Sequence, residues 1–203
     1  MPAPRVNLSP MRIGLTGGIG CGKSAAAAAF GRLGFRIVSA DRLAHEALLA
    51  PGVVRALQER WGDEVLLENG LPDRKFIAAR VFASPPDRLW LESVIHPVVQ
   101  QAWQSAVADA SVDWVVEIPL LFEKGWEGKF DRTVCVTAGR PRQLERVRER
   151  GWSEAELVSR ESAQMPLAEK ERRADHVLPN DGSLADLDAA VGKLVAQWRP
   201  RGR

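Results

Sequence analysis

Lys23 and Ser24 close a segment, Gly14-Leu15-Thr16-Gly17-Gly18-Ile19-Gly20-Cys21-Gly22-Lys23-Ser24, in which five of eleven residues are glycine. An amine and a hydroxyl placed directly after bare backbone suit one kind of ligand, an anion held by peptide N–H groups. The spacing Gly17-x4-Gly22-Lys23-Ser24 is the phosphate-binding loop pattern. Without β-carbons, Gly17, Gly18, Gly20 and Gly22 can take positive φ and turn successive N–H groups inward. Lys23 then reaches the β and γ phosphates of a nucleoside triphosphate, and the Ser24 hydroxyl ligates a bridging Mg²⁺. Gly18, Gly20, Cys21, Gly22, Lys23, Ser24 and Ala25 form the expected nucleotide-binding set.

Binding a triphosphate does not identify a reaction, because switches, ATPases and small-molecule kinases share the loop. The guanine-reading segment Asn-Lys-x-Asp of switch GTPases does not occur in the sequence. Asp41, just past the second strand-like run, is placed to take a proton from an acceptor hydroxyl attacking the γ-phosphorus, and it also suits a helix N-cap. Glu117 ends the third strand-like run; it reads equally as an acidic partner of Mg²⁺ acting through water and as a carboxylate exposed at a strand end. Arg140, Arg142, Arg146, Arg148, Arg150, Arg160, Arg172 and Arg173 crowd the region after the fourth strand. Most are expected to be solvated, while one or two supply cations to the transferring group from a lid. Arg146 and Arg150, four apart on one predicted helical face, are the pair selected. Cys21, beside a helix N-terminus, reads either as a thiol of lowered pKa or as a packed, inert one. His45, His96 and His176 show no zinc-ligand spacing with Cys21 or Cys135.

These groups require an alternating scaffold. Strands are predicted at Arg12 to Thr16, Phe35 to Ser39, Trp114 to Ile118, Thr133 to Thr137 and His176 to Leu178. Helices are predicted from Gly22 to Leu33, Arg42 to Leu49, Val53 to Trp61, Lys75 to Ala110 with a break at Pro85-Pro86, across the arginine-rich 141–173, and from Leu184 to Trp198. Such alternation implies an α/β fold, a mostly parallel sheet covered on both faces.

Composition bounds the rest. A chain of 203 residues, 45% hydrophobic and 27% charged, suits a single domain with one core. The net charge of +2 does not call for nucleic acid as a partner. No apolar run reaches a membrane span, and residues 1–10 lack a signal-like apolar stretch, so a cytoplasmic protein is expected. Those residues read as a disordered extension, or as a start site set too early, ahead of Met11. Both cysteines are expected to be reduced.

The sequence resembles the dephospho-coenzyme A kinase family of P-loop kinases over nearly all the chain from Met11. The resemblance rests on Leu15 to Ser24, Ala40-Asp41, Leu71-Pro72-Asp73-Arg74, Ile95-His96-Pro97, Ile118-Pro119-Leu120-Leu121-Phe122-Glu123, and Arg173 to Gly182. It implies transfer of the ATP γ-phosphate to the ribose 3′-hydroxyl of dephospho-coenzyme A. It also implies a three-layer α/β/α core with a five-stranded parallel sheet (11–41, 112–139 and 174–203), a helical substrate-binding insertion at about 42–111, and a lid at about 140–173. By the same resemblance Asp41 matches the catalytic aspartate, Arg74 and His96 fall in the substrate region, Arg146 and Arg150 in the lid, and Asn180 near the adenine. Mg²⁺ accompanies ATP, and no obligate protein partner is implied. Ser39 replaces the usual first aspartate of Asp-Ala-Asp, Cys21 a common serine, and Ala25 a common threonine. Two rival readings are another metabolite kinase of this fold and a nonenzymatic nucleotide-dependent switch.

Overall fold

A computed structural model of the chain describes residues 10–199. The extension expected over residues 1–10 lies, except for Pro10, outside the described residues. The chain divides into two compact units, one running to Ser39 and resuming at Asp109, the other spanning Ala40–Ala108.

The first unit is built on β1 (Arg12–Gly17), β2 (Arg36–Ser39), β3 (Trp114–Glu117), β4 (Arg132–Thr137) and β5 (His176–Pro179). They form one parallel sheet in the order β2-β3-β1-β4-β5, with β1 at its centre. Parallel strands must be joined by crossovers, and the crossover helices bury both faces of the sheet. On one face Ile13 and Leu15 of β1 pack with Val115, Val134 and Val136 against Ala26 and Phe30 of α1 (Lys23–Arg32) and Leu187 and Val191 of α9 (Leu184–Trp198). On the other, Phe130 and Leu121 lie so close over β1 that a β-carbon at Gly14 would sit 2.8 Å from the Phe130 ring. Glycine is therefore required inside the central strand for packing, a role separate from the phosphate loop.

After β4 come α6 (Arg140–Arg148), α7 (Glu154–Glu161) and α8 (Leu167–Arg173). The sequence led us to expect continuous helical pattern there; Gly151, at φ +77°, and Pro166, the N-cap of α8, divide it into three.

The second unit is helical: α2 (Ala40–Ala47), α3 (Pro51–Trp61), α4 (Arg74–Ala83) and α5 (Pro85–Ala106). Asp73 caps α4 by accepting from the Lys75 and Phe76 amides, at 2.8 and 3.2 Å. The predicted break falls at Ser84, which caps α5, and Pro85-Pro86 occupy its first turn, where a missing N–H costs nothing. Its core gathers Leu57, Trp61, Val65, Ile77, Ile95, Val99 and Trp103.

Candidate active site

The chain leaves β1 at Gly17 and enters α1 at Lys23; of the four glycines expected at positive φ, Gly17, Gly20 and Gly22 have it and Gly18 does not. Gly20 and Gly22 have φ of +73° and +89°, a region that residues with a β-carbon avoid. Gly22 is also the N-cap of α1 and brings no side-chain cap, so the first-turn amides of that helix point into the loop unclaimed by a side chain. Peptide donors at the positive end of a helix dipole make an anion site. Lys23 Nζ donates to the carbonyls of Gly17 and Gly18, at 3.2 and 3.0 Å, which holds the ammonium over the loop.

At the same end of the sheet Ser24 Oγ donates to Glu117 Oε1 at 3.0 Å. Glu117 is buried, 8% exposed, because β3 runs between β1 and β2, with Leu15 and Ser39 as its register partners. The exposed strand-end carboxylate weighed in the sequence is thus not what the fold contains. Buried carboxylates need partners, and Ser24 supplies one.

The loop is held from beneath by side chains distant in sequence. Asn180, just past β5 and 4% exposed, donates through Nδ2 to Cys21 O at 2.8 Å. Gln143 of α6 donates to Ile19 O at 2.9 Å and to Cys21 Sγ at 3.4 Å. Arg146 of α6 donates to Gly20 O, Cys21 O and Asn180 O, at 3.3, 3.2 and 2.8 Å. These donors fix the carbonyls of Ile19, Gly20 and Cys21, while the Cys21 amide donates within the loop to Gly18 O at 3.4 Å. The role of Gln143 went unseen in the sequence, where nothing distinguishes it from any polar helix residue.

Arg146 therefore does reach the loop, at its carbonyls. Arg150 does not share its helical face, because α6 ends at Arg148 and Arg150 lies in the turn closed by the bond from Trp152 N to Val147 O. The left-handed Gly151 stops the helix before the expected i,i+4 pair can form.

Cys21 is fully buried, and burial pushes its thiol pKa up more than Lys23 pulls it down. Of the two readings of this residue, the packed thiol is the one the structure contains. Desolvation outweighs the loop's positive character because the sulfur is closed off from solvent, against Gln143. Cys135 on β4 is likewise buried and is pushed up to about 12.

In the second unit Asp41 lies in the first turn of α2 and is exposed. The helix already begins at Ala40, so Asp41 is not its cap. His45, one turn further on, has Nε2 2.9 Å from an Arg74 guanidinium nitrogen, a pairing of α2 with α4 that separation in sequence concealed. His96 stands half-buried on α5 beside Pro97, a proline the helix accommodates without ending.

A glycine loop leaving the central strand of a β2-β3-β1-β4-β5 parallel sheet, with lysine and serine opening the next helix, defines a P-loop α/β kinase fold. The dephospho-CoA kinase family description matches residues 11–186. A dephospho-CoA kinase of Syntrophotalea carbinolica is 40% identical over 195 residues, covering 93% of this chain and 92% of the relative. A crystal structure of a Thermus thermophilus protein superposes with a TM-score of 0.80 at 38% identity, covering 96% of this chain and 100% of the other. The dephospho-CoA kinase structure from Campylobacter jejuni follows at 0.69 and 25% identity, covering 92% and 96%. The chain belongs to the dephospho-CoA kinase family.

Proposed function

We propose that this protein transfers the γ-phosphate of ATP to the ribose 3′-hydroxyl of dephospho-coenzyme A, releasing coenzyme A and ADP, the last step of coenzyme A synthesis. The observation that carries this reading is the 40% identity to a dephospho-CoA kinase across nearly the full length of both chains. The loop geometry supplies the physical support.

Gly18, Gly20, Cys21, Gly22 and Ala25 present backbone amides to the triphosphate, and Lys23 moves from the Gly17 and Gly18 carbonyls to the β and γ phosphates. Ser24 and Glu117 offer a hydroxyl and a carboxylate in mutual contact, a hard oxygen pair suited to Mg²⁺, which keeps waters and phosphates as its other ligands. Bound there, Mg²⁺ would neutralise charge on the phosphates, with Ser24 direct and Glu117 through water. Asp41 accepts the proton of the attacking 3′-hydroxyl, raising its nucleophilicity as the bond to phosphorus forms. Arg74 and His96 hold the anionic substrate from the helical insertion, about 42–111. Arg146 and Arg150 belong to the lid, about 140–173, and Asn180 borders the adenine side of the loop it supports.

We read the enzyme as cytoplasmic, with ATP and dephospho-coenzyme A as its partners and no nucleic acid, membrane or obligate protein partner. Among the described residues no helix is long and apolar enough to cross a membrane. Supplying ATP, Mg²⁺ and dephospho-coenzyme A should yield ADP and coenzyme A in equal amounts. No coenzyme A above background, or turnover with nucleoside monophosphates instead, would overturn the assignment.

A further inference from the structure

Lys170 of α8 is completely buried, an unusual position for an ammonium group. Its Nζ lies 2.7 Å from Pro119 O, 2.9 Å from Glu123 Oε1 and 3.3 Å from Gln164 Oε1, so three acceptors take its three N–H bonds. Glu123 Oε1 also accepts from the Met165 amide at 2.9 Å, while Glu123 Oε2 is buried with no hydrogen-bond partner among the described residues. An ion pair of a buried lysine with a half-buried glutamate that keeps an unsatisfied oxygen is a poor source of stability, since desolvation cancels most of the attraction and apolar substitutes often fold as well. Its value must lie in what it holds still.

What it holds is the exit of β3. Pro119 O accepts from Lys170 and also from Thr16 Oγ1, at 3.1 Å, the residue that immediately precedes the phosphate loop. Pro119 follows Glu117 by two residues, and Glu117 receives the Ser24 hydroxyl. One carbonyl thus joins α8, the end of β1 and the chain leaving β3, two residues beyond Glu117.

We propose that Lys170 is a positioning residue for phosphoryl transfer: by gripping Pro119 O and Glu123 it fixes the β3 exit against β1 and sets the Ser24 and Glu117 oxygens at the spacing that receives Mg²⁺. This rests on the reading of Glu117 given above. Lys170 touches neither nucleotide nor metal in this role and acts through Pro119.

The test uses the full chain and reads Mg²⁺-dependent ADP binding by calorimetry, alongside Tm and turnover. The double variant K170M/E123Q removes the buried charges, keeps the volume, and leaves an acceptor for Met165. It should fold with a Tm near that of the parent and bind ADP unchanged in EDTA. Its Mg²⁺ midpoint should rise by about tenfold or more, the usual cost of losing a group that orients a metal ligand, and kcat should fall in parallel. T16V removes the other donor to Pro119 O in a near-isosteric way and should shift the midpoint in the same direction. A folded double variant with the parental midpoint overturns the proposal. Should the double variant fail to fold, K170Q, which removes the charge and keeps a polar group facing Glu123, is read instead, and a parental midpoint there overturns the proposal. E117Q serves as the control for the underlying reading: an unshifted midpoint there refutes Glu117 as a metal partner, whereas a shift in E117Q alone refutes only the role of Lys170.

Discussion

Gly22→Ala separates backbone strain from the packing beneath the phosphate loop, provided that Gly34→Ala is measured beside it. Both glycines are left-handed, at φ +89° and +94°. Forcing alanine into that region costs about 1 to 2 kcal/mol at either position. The restriction that alanine places on the unfolded chain is common to both variants and cancels between them. The surroundings differ: a β-carbon at Gly34 meets nothing within 4 Å, whereas one at Gly22 would stand 2.2 Å from Asn180 Nδ2. Asn180 must then withdraw and give up its 2.8 Å bond to Cys21 O. That carbonyl keeps Arg146 as a donor at 3.2 Å, so the added loss is chiefly that of one buried amide N–H, about 1 to 3 kcal/mol. Gly34→Ala should therefore lose about 1 to 2 kcal/mol and Gly22→Ala about 2 to 5 kcal/mol. Urea unfolding at a common m value reads the difference. Because Gly22 lies in the loop proposed to hold the triphosphate, Gly22→Ala should also weaken ATP binding by roughly tenfold or more, about 1.4 kcal/mol per decade, while Gly34→Ala leaves it unchanged. Equal stability of the two variants, together with parental ATP affinity in Gly22→Ala, would refute the reasoning that Asn180 holds the loop.

Asp41→Asn should retain ATP affinity while kcat falls by roughly 10² or more, as loss of a proton acceptor requires; near-normal turnover would reduce Asp41 to a charge in the first turn of α2. Cys21 and Cys135 should resist a thiol reagent at pH 8 in the native protein and react fully in guanidinium, and rapid native labelling of either would contradict their burial. Both thiols have folded pKa values above the ordinary 9.0, Cys135 at about 12, so the stability they contribute is complete below pH 9 and declines as pH rises through that window, which unfolding curves taken from pH 8 upward would show.

Legibility in the sequence followed the range of the interactions. The loop from Gly17 to Ser24, the strand before it and the helix after it were readable because glycine spacing, apolar runs and alanine-rich helix all act within a dozen residues. The break between α4 and α5 was readable for the same reason, since Ser84 and two prolines signal a new helix locally. The end of α6 was misjudged by placing Arg146 and Arg150 on one face, although Gly151 carried the stop signal. The pairing of His45 with Arg74 was not legible, because the two lie 29 positions apart and no local pattern connects them.

Chain chemistry alone settled that a glycine-rich loop would join a strand to a helix and that parallel strands would carry it, because conformational freedom and hydrophobic periodicity belong to individual residues and their neighbours. Only folding decided what holds that loop in place. Asn180 reaches Cys21 across 159 positions and Gln143 reaches Ile19 across 124, and Lys170 finds Pro119 across 51. Such contacts exist when strand order has brought distant segments together, and the burial that accompanies them is what turned Cys21 into an inert thiol and Glu117 into a paired carboxylate.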